Sequence, residues 1–386
     1  MLKSKLIWGG IALIILFTLG FGGWMLSLPG NTTAAMAPPI PQSEADALLT
    51  ALKPGKRQRP LIAVIGINDA TETTDYLMPT GILRRAGVAD VMLLATNSGP
   101  VQLYPALKVV PDATVAAFDA AHPEGADYVI VPAMSRDDDP AVMAWLNGQA
   151  ARGAMIIGVC AGAKVVGAAG LLDGKRATTH WYYLNELLKR HPTIEYAADR
   201  RMVSDAGVTT TTGISASMPL ALTLIEAIAG RSKAQAVAND IGVDRWDARH
   251  ASDAFQLTRS FATTVLANRM NFWGKEKLGI PLEPDLDEVS LALAADGWSR
   301  TYRSSVTTFA HSSDAVKSRH GVRIIPDRSG TNWPADQRVP FTALQKPADA
   351  LDQTLSAVTA RYGERTANVV AMQLEYPGKP SKAIYP

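Results

Sequence analysis

From residue 60 onward, short continuous apolar runs alternate with segments of helical periodicity. The runs are rich in β-branched residues and bounded by turn residues, as in strands that are buried on both faces. The predicted strands are 61–67, 91–97, 126–133 and 154–160. The segments between them that favour helices are 74–87 and 140–153. This alternation predicts an α/β fold with a mainly parallel sheet covered by helices on both faces.

A long uncharged apolar segment, residues 6–28, precedes the globular part. It exceeds the apolar core of a secretory signal and is long enough to cross a bilayer, which takes about 20 residues. Lys3 and Lys5 precede it and favour a cytoplasmic N-terminus. We therefore expect an uncleaved transmembrane anchor in residues 1–30, and cleavage near residues 35–37 is the alternative. The globular part would then be extracytoplasmic, in the periplasm of a Gram-negative cell.

Residues 31–59 form a predicted linker, because they are rich in proline, small residues and basic residues. Over the whole chain, 38 Lys and Arg against 36 Asp and Glu leave a net charge of +2, which gives no reason to expect a nucleic-acid partner. The single cysteine excludes an internal disulfide and a cysteine-cluster zinc site. The six histidines show no pair at metal-ligand spacing, so we expect neither a metal nor a cofactor.

The only cysteine, Cys160, lies where the strand 154–160 ends and a segment of small residues begins, between Gly158 and Gly162. A sharp turn there would project the thiol above the carboxyl edge of the sheet, where α/β folds build their sites. Backbone N–H groups at the start of a helix would lower the pKa of the thiol and could stabilise an oxyanion. The alternative is a small buried apolar side chain, because free cysteine often has that role.

Three stretches resemble motifs of the DJ-1/PfpI superfamily, in the family's order. They are "TETTDYLMPTGILRRAG" at 71–87, the elbow "VCAGA" at 159–163 and "GLLDGKRATTHW" at 170–181. The resemblance covers about residues 60–250 and is nearest to the amidotransferase-like domain of GlxA-type regulators. It implies a flavodoxin-like three-layer sandwich, a reactive cysteine and a tendency to form homodimers. Members of the family include small-molecule enzymes, proteases, chaperones and sensor domains.

The resemblance assigns roles to individual residues of this chain. The family's elbow cysteine corresponds to Cys160, and the acid that hydrogen-bonds it corresponds to Asp75, with Glu72 as the weaker alternative. We expect Asp75 to be protonated beside the thiol, because a second bare anion would oppose the thiolate. The histidine of "TTH" corresponds to His180. It is either a proton carrier or a structural histidine bonded to the backbone.

Two positions depart from the family pattern. Family proteases carry histidine directly after the cysteine, whereas this chain has Ala161, so a peptidase is not expected. Many members carry Gly-Gly in an oxyanion loop where this chain has Ala133 and Met134. The backbone amides of Ala161, Ala133 and Met134 are the candidate oxyanion donors, although a side chain opposes any positive φ in that loop.

An internal repeat extends beyond the region of family resemblance. The matching segments are 217–241 with 350–374, and 107–112 with 322–327. The two offsets are 133 and 215 positions, and the interval missing from the second copy contains Cys160 and His180. We interpret residues 251–386 as a shortened, cysteine-less second DJ-1/PfpI-like repeat that packs on the first. We also expect residues 289–295 to repeat the strand 61–67. No DNA-binding helix pair follows the first domain, unlike in GlxA-type regulators.

Two classes of function remain from the sequence. One is a membrane-anchored, cysteine-dependent hydrolase or lyase that acts on a small electrophile. The other is a non-catalytic module that binds a small ligand or senses redox state. Both predict a small-molecule partner and a membrane partner, and a homodimer is compatible with either.

Overall fold

The computed structural model describes residues 19–30, 36–340 and 346–377. Its largest sheet has seven strands, all parallel to their neighbours except for one edge hairpin. From edge to edge the strands are β11 (Met202–Asp205), β12 (Val208–Thr211), β8 (Met155–Gly158), β7 (Tyr128–Val131), β1 (Leu61–Gly66), β3 (Asp90–Ala95) and β6 (Ala113–Thr114). The predicted α/β fold with a mainly parallel sheet is confirmed.

Successive residues of β1 supply two separate apolar cores, one on each face of the sheet. Ile62 and Val64 belong to the first core, whereas Leu61, Ala63 and Ile65 belong to the second. The helices that contribute to the first core are α1 (Gln42–Ala51), α2 (Thr73–Ala86), α7 (Ser217–Ala229) and α8 (Arg231–Ile241). Those that contribute to the second are α3 (Val115–Ala121), α4 (Pro140–Ala151), α5 (Gly162–Ala168) and α6 (Leu184–Arg190). The result is a three-layer arrangement of helices, sheet and helices, because successive side chains of a strand point to opposite faces and both faces are covered.

A second α/β region follows the first along the chain. Its sheet has three parallel strands in the order β13 (Glu276–Pro281), β14 (Ser304–Ala310) and β17 (Arg328–Ser329). Its helices are α9 (Arg259–Met270), α10 (Glu288–Ser299), α11 (Asp349–Tyr362) and α12 (Glu364–Gln373). A short parallel pair, β9 (Arg176–Ala177) with β10 (Glu195–Tyr196), lies outside the larger sheets.

A five-stranded sheet joins the two regions. Its order is β15 (Val316–Lys317), β16 (Arg323–Ile324), β5 (Lys108–Val110), β4 (Val101–Tyr104) and β2 (Asp69–Glu72). At its centre β16 pairs antiparallel with β5, and these strands lie in the segments that the sequence repeat had matched at an offset of 215. Strands from both regions therefore share one hydrogen-bonded ladder, which couples the regions through the backbone.

Several elements of the second region follow elements of the first at a constant spacing along the chain. Strand β13 lies 215 positions after β1, and helix α10 begins 215 positions after α2. The N-cap residues Glu72 and Asp287 have the same spacing, and each side chain accepts from the N–H three residues on. The expectation that residues 289–295 repeat the strand 61–67 is wrong. They lie inside α10, which is buried almost throughout, and a fully buried helix lacks the polar face that would distinguish it from a strand.

Helices α2 and α10 cross with their backbones close together. A Cβ atom on Gly81 of α2 would lie 2.7 Å from Glu288 Oε1 and 2.9 Å from a methyl carbon of Val289. Glycine is therefore required at this crossing for steric reasons.

The described part of the chain contains no helix that is both long and apolar enough to cross a bilayer. Residues 1–18 of the predicted anchor, and 31–35 of the predicted linker, lie outside the described residues. Residues 19–27 are helical, and Arg259 at the start of α9 donates to the carbonyl oxygens of Leu26 and Leu28 at 2.8 and 3.2 Å. The membrane anchor stays a prediction.

Candidate active site

Cys160 occupies a strained turn between β8 and α5. Its φ is +56°, in the left-handed region, which costs a non-glycine residue on the order of 1 kcal/mol. Two threonines hold the turn, since Thr211 Oγ1 accepts from Cys160 N at 3.2 Å and Thr179 Oγ1 donates to Cys160 O at 2.9 Å. A Cβ on Gly162 would collide with the carbonyl oxygen of Val131, so only glycine fits there. The predicted position of the thiol at the carboxyl end of a strand is confirmed.

The thiol lies at the wall of a cavity of about 900 Å³. Cys160 is only 4% exposed, so a ligand in the cavity would reach it from one side. Both regions contribute side chains to the wall. The first region supplies Glu72, Ala133, Met134, Ala161, Lys164, His180, Trp181, Tyr182 and Tyr183, and the second supplies Arg300, Tyr302 and Gln373.

Asp75 lies close to the thiol and is fully buried. Its Oδ2 accepts from Ala133 N at 3.2 Å, and its Oδ1 has no hydrogen-bond partner. Burial, and then the neighbouring charge of Glu72, raises the pKa of Asp75 well above its usual range. The direction of this shift favours the protonated form of Asp75, and its role as a donor to the thiol stays a prediction.

Glu72 has a different task from Asp75. Its Oε2 caps α2 by accepting from Asp75 N at 2.6 Å and also accepts from Thr74 Oγ1 at 2.8 Å. Its Oε1 accepts from Arg300 Nη2 at 2.8 Å. Both oxygens of the Glu72 side chain are thus engaged in hydrogen bonds, which fits a structural role beside the site.

The thiol pKa differs from the sequence expectation. Burial, followed by the charges of Asp75 and Glu72, raises the pKa of Cys160 well above its usual range, and the amide of Ala161 lowers it only in part. The expectation of a pKa below that of free cysteine is wrong for this resting structure. Desolvation and two nearby carboxyls outweigh the amides at the start of α5, which has only seven residues. Cys160 is accordingly a neutral thiol at pH 7.

Both ring nitrogens of His180 are engaged by the backbone. Nδ1 accepts from Tyr182 N at 3.1 Å, which leaves Nε2 as the donor to Gln373 O at 2.9 Å. Burial lowers the pKa of His180, so the ring is neutral. This geometry corresponds to the structural alternative, because a proton carrier needs a ring nitrogen that is free to exchange. His180 lines the cavity and ties it to the end of α12.

The candidate oxyanion amides are arranged differently from the sequence expectation. Ala133 N donates to Asp75, so this amide is already engaged. Neither Ala133 nor Met134 has a positive φ, so their side chains cause no backbone strain. The loop is fixed by an antiparallel bridge between Met134 and Thr71. Of the three amides, that of Ala161 is the one that acts directly on the sulfur.

Sequence reasoning missed the contribution of the second region. Arg300 lies between Glu72 and Asp296, whose Oδ1 accepts from Arg300 Nε at 2.7 Å. Burial raises the pKa of Asp296 to about 8, and the nearby charge of Glu72 adds to this effect while Arg300 opposes it. The repeat in the sequence could have identified Arg300, because Arg300 lies 215 positions after Arg85 of the "RRAG" motif.

One cluster in the described residues has the composition of a metal site, namely Asp287, Glu288 and His320. Its charges are already matched, because Asp287 pairs with Arg85 and Glu288 lies 2.6 Å from the Nδ1 of His320. The hydrogen bond to His320 also lowers the pKa of Glu288 against the effect of burial. These contacts explain the cluster as one ion pair between the two regions, Arg85 with Asp287, beside one contact within the second region, Glu288 with His320.

The chain is similar to several known proteins over its first region. The model of the DJ-1/PfpI family matches residues 62–227. An isonitrile hydratase of Pseudomonas putida is 42% identical over 101 residues, which are 26% of this chain and 42% of that protein, so less than half of the hydratase is spanned. A Parkinson disease protein 7 homolog of Danio rerio is 28% identical over 181 residues, 45% of this chain and 93% of that protein. A solved DJ-1 superfamily protein of Salmonella typhimurium is 27% identical with a TM-score of 0.43, over 48% of this chain and all of that one.

Proposed function

Since residues 62–227 form a DJ-1/PfpI family domain, we propose that the protein is a membrane-anchored, cysteine-dependent enzyme of hydrolase or lyase type that acts on a small electrophile. The observation that carries the proposal is Cys160 in a strained elbow at the wall of a cavity. Strain of this kind persists only where the surrounding structure holds it, and it concentrates at functional sites.

The proposed reaction begins from the neutral thiol. With an isonitrile or a nitrile, sulfur bonds to the reactive carbon, and the thiol proton passes to the substrate to give a thioimidate. Water then adds to the carbon–nitrogen double bond, the carbon–sulfur bond breaks, the sulfur regains a proton and the amide leaves. With a 2-oxoaldehyde, sulfur adds to the aldehyde carbon, the hydrogen on that carbon moves as a proton to the neighbouring carbonyl carbon, and water hydrolyses the resulting thioester to a 2-hydroxy acid. No oxidant or reductant is consumed. We assign the relay of the thiol proton to Asp75, because it is buried near the sulfur and its raised pKa favours the protonated form.

The relatives suggest which substrate to try first. The hydratase name refers to an isonitrile, whose terminal carbon accepts a nucleophile once it is protonated. The cavity of about 900 Å³ has room for a compound of this size. The aromatic side chains of Trp181, Tyr182 and Tyr183 give its wall an apolar character that suits an uncharged substrate.

The test uses purified full-length protein with cyclohexyl isonitrile and, separately, methylglyoxal. Loss of each compound and formation of product are followed by NMR for the wild type, Cys160→Ala and Asp75→Ala. We expect the wild type to consume at least one compound, Cys160→Ala to be inactive and Asp75→Ala to be slower. A wild type that consumes neither, or a Cys160→Ala variant that matches it, would refute the enzymatic proposal.

A non-catalytic redox-sensing or ligand-binding module is the second candidate. The high thiol pKa and the 4% exposure of Cys160 favour it, because both slow nucleophilic attack. Hydrogen peroxide treatment followed by intact-protein mass spectrometry separates the candidates. A sensor should accumulate a cysteine sulfenic or sulfinic acid at low peroxide while remaining inactive towards electrophiles.

We also propose that the anchor leaves the globular part outside the cytoplasm. The support is the uncharged segment 6–28 after Lys3 and Lys5. Alkaline phosphatase fused to the C-terminus of the full chain should be active in cells, since this reporter folds only outside the cytoplasm. An inactive fusion that is expressed and intact would contradict this topology. A homodimer remains a prediction.

A further inference from the structure

Most of the exposed large apolar side chains in the described residues lie on two segments. One is the helical segment 19–27, and the other runs from the second half of α9 to residue 273. We call this surface the apolar face and define it by Trp24, Leu26, Leu266, Met270, Phe272 and Trp273. Trp273 is 97% exposed and Phe272 is 70% exposed, which is unusual for side chains of this size.

The two segments form one continuous surface. Arg259 at the start of α9 donates to the carbonyl oxygens of Met25, Leu26 and Leu28, and its own N–H donates to Pro29 O at 2.8 Å. The C-terminal end of the helical segment is therefore fixed against α9. Trp24 and Leu266 also line the cavity that contains Cys160, so the apolar face adjoins the cavity.

The chain that precedes the apolar face indicates what covers it. Residues 6–18 are uncharged and apolar, and they lead directly into the fixed segment 19–27. A bilayer that receives residues 6–18 must therefore lie next to the apolar face. Two lysines, Lys275 and Lys277, follow Trp273 closely. Exposed tryptophan beside lysine is the composition that favours the boundary between lipid headgroups and acyl chains.

We propose that the apolar face rests in the interfacial region of a lipid bilayer, which places the mouth of the Cys160 cavity against lipid. The cavity then receives molecules that have partitioned into the membrane. This docking needs no catalysis by Cys160 and goes beyond a simple tether. A tether alone would leave Trp273 in water, because it would not hold the apolar face against the bilayer.

The test measures the depth of single positions in the membrane. The full chain with Cys160→Ser, which removes the native thiol, is reconstituted in vesicles of phosphatidylcholine and phosphatidylglycerol. Trp273→Cys and Phe272→Cys are labelled with a nitroxide in separate samples. Power-saturation EPR then compares collision with oxygen, which concentrates in lipid, against collision with a water-soluble nickel chelate. We expect the nitroxide at each position to collide more with oxygen than with the nickel chelate, as at the boundary between headgroups and acyl chains.

Glu124→Cys supplies the matched control. Glu124 is exposed and lies just before β7, at the amino edge of the sheet, opposite the carboxyl edge that holds Cys160. We expect this position to collide mainly with the nickel chelate. If positions 272 and 273 show the same aqueous pattern as position 124, the chain is only tethered and the proposed docking is refuted. Lys277→Glu tests the contribution of charge, since Lys275 already donates to the carbonyl oxygens of Asn268 and Tyr302. A fall in the preference of position 273 for oxygen in this variant would support a role of Lys277 at the membrane surface.

Discussion

Arg300 of the second region binds Glu72 of the first at 2.8 Å, and Arg85 of the first region binds Asp287 of the second in the reciprocal pair. Each residue of one pair lies 215 positions from its counterpart in the other. Reciprocal contacts of this kind are typical of an isologous interface between two copies of a chain, which fits the predicted repeat within this chain. Only the pair formed by Glu72 and Arg300 lies near a cysteine, because the second region has no residue that corresponds to Cys160.

The two arginines should have similar effects on stability and different effects on the thiol. Arg300→Met and Arg85→Met each leave a buried carboxylate without its main cation, which costs about 3–5 kcal/mol. Arg300→Met should also raise the thiol pKa of Cys160, because the charge of Glu72 is then less compensated. Urea unfolding and iodoacetamide alkylation across pH measure the two effects. Equal alkylation profiles for both variants would show that Arg300 does not act on the site.

Removing the charge of Glu72 should make Cys160 more reactive. Glu72→Gln keeps an oxygen that can cap α2 but removes an anion that raises the thiol pKa. The alkylation profile should move to lower pH, and lowering the thiol pKa by about 1 raises the thiolate fraction near neutral pH about tenfold. Asp69→Asn is the control, because Asp69 lies on the same strand, is exposed and pairs with Arg136. A profile that moves equally in both variants would argue against a local effect.

The crossing of α2 and α10 should not tolerate a side chain on Gly81. Gly81→Ala places a methyl group 2.7 Å from Glu288 Oε1, which should destabilise the fold by about 1–3 kcal/mol. Gly148→Ala in α4 is the control, since its Cβ would meet only Arg152 Nη1, at 3.8 Å. That change should instead stabilise by about 0.5–1 kcal/mol through helix propensity. Thermal unfolding of both variants checks the opposite signs.

The buried carboxyl of Asp296 should make stability fall as pH rises. Its pKa is about 8 in the folded chain and about 3.9 when unfolded, so the folded state binds the extra proton between these values. The free-energy cost of ionising Asp296 in the folded chain is absent below pH ~4 and fully present above pH ~8. Relative to Asp296→Asn, the wild type should lose roughly 1.4 kcal/mol per pH unit across this window. Urea unfolding of both proteins from pH ~5 to ~8 tests the slope, and parallel curves would contradict it.

Local patterns in the sequence were enough to place the elbow and the repeat. The β-branched run before Cys160 and the small residues after it predict a strand, a turn and a helix from short-range sterics alone. The offset of 215 was visible in the segments 107–112 and 322–327, because a repeated strand and turn keep similar residues. The same method failed at 289–295, where burial on all sides removes the periodicity that identifies a helix.

Tertiary structure decided the chemistry of the site. The pKa of Cys160 depends on how deeply the thiol is buried and on which carboxyls lie beside it, and His180 is engaged by Gln373, which lies 193 positions away. Arg300 reaches Glu72 across 228 positions, which no local pattern encodes. Strand and helix periodicity reflects sterics between near neighbours along the chain. Electrostatic energies instead depend on distance and solvent exclusion in three dimensions, so only the packed fold determines them.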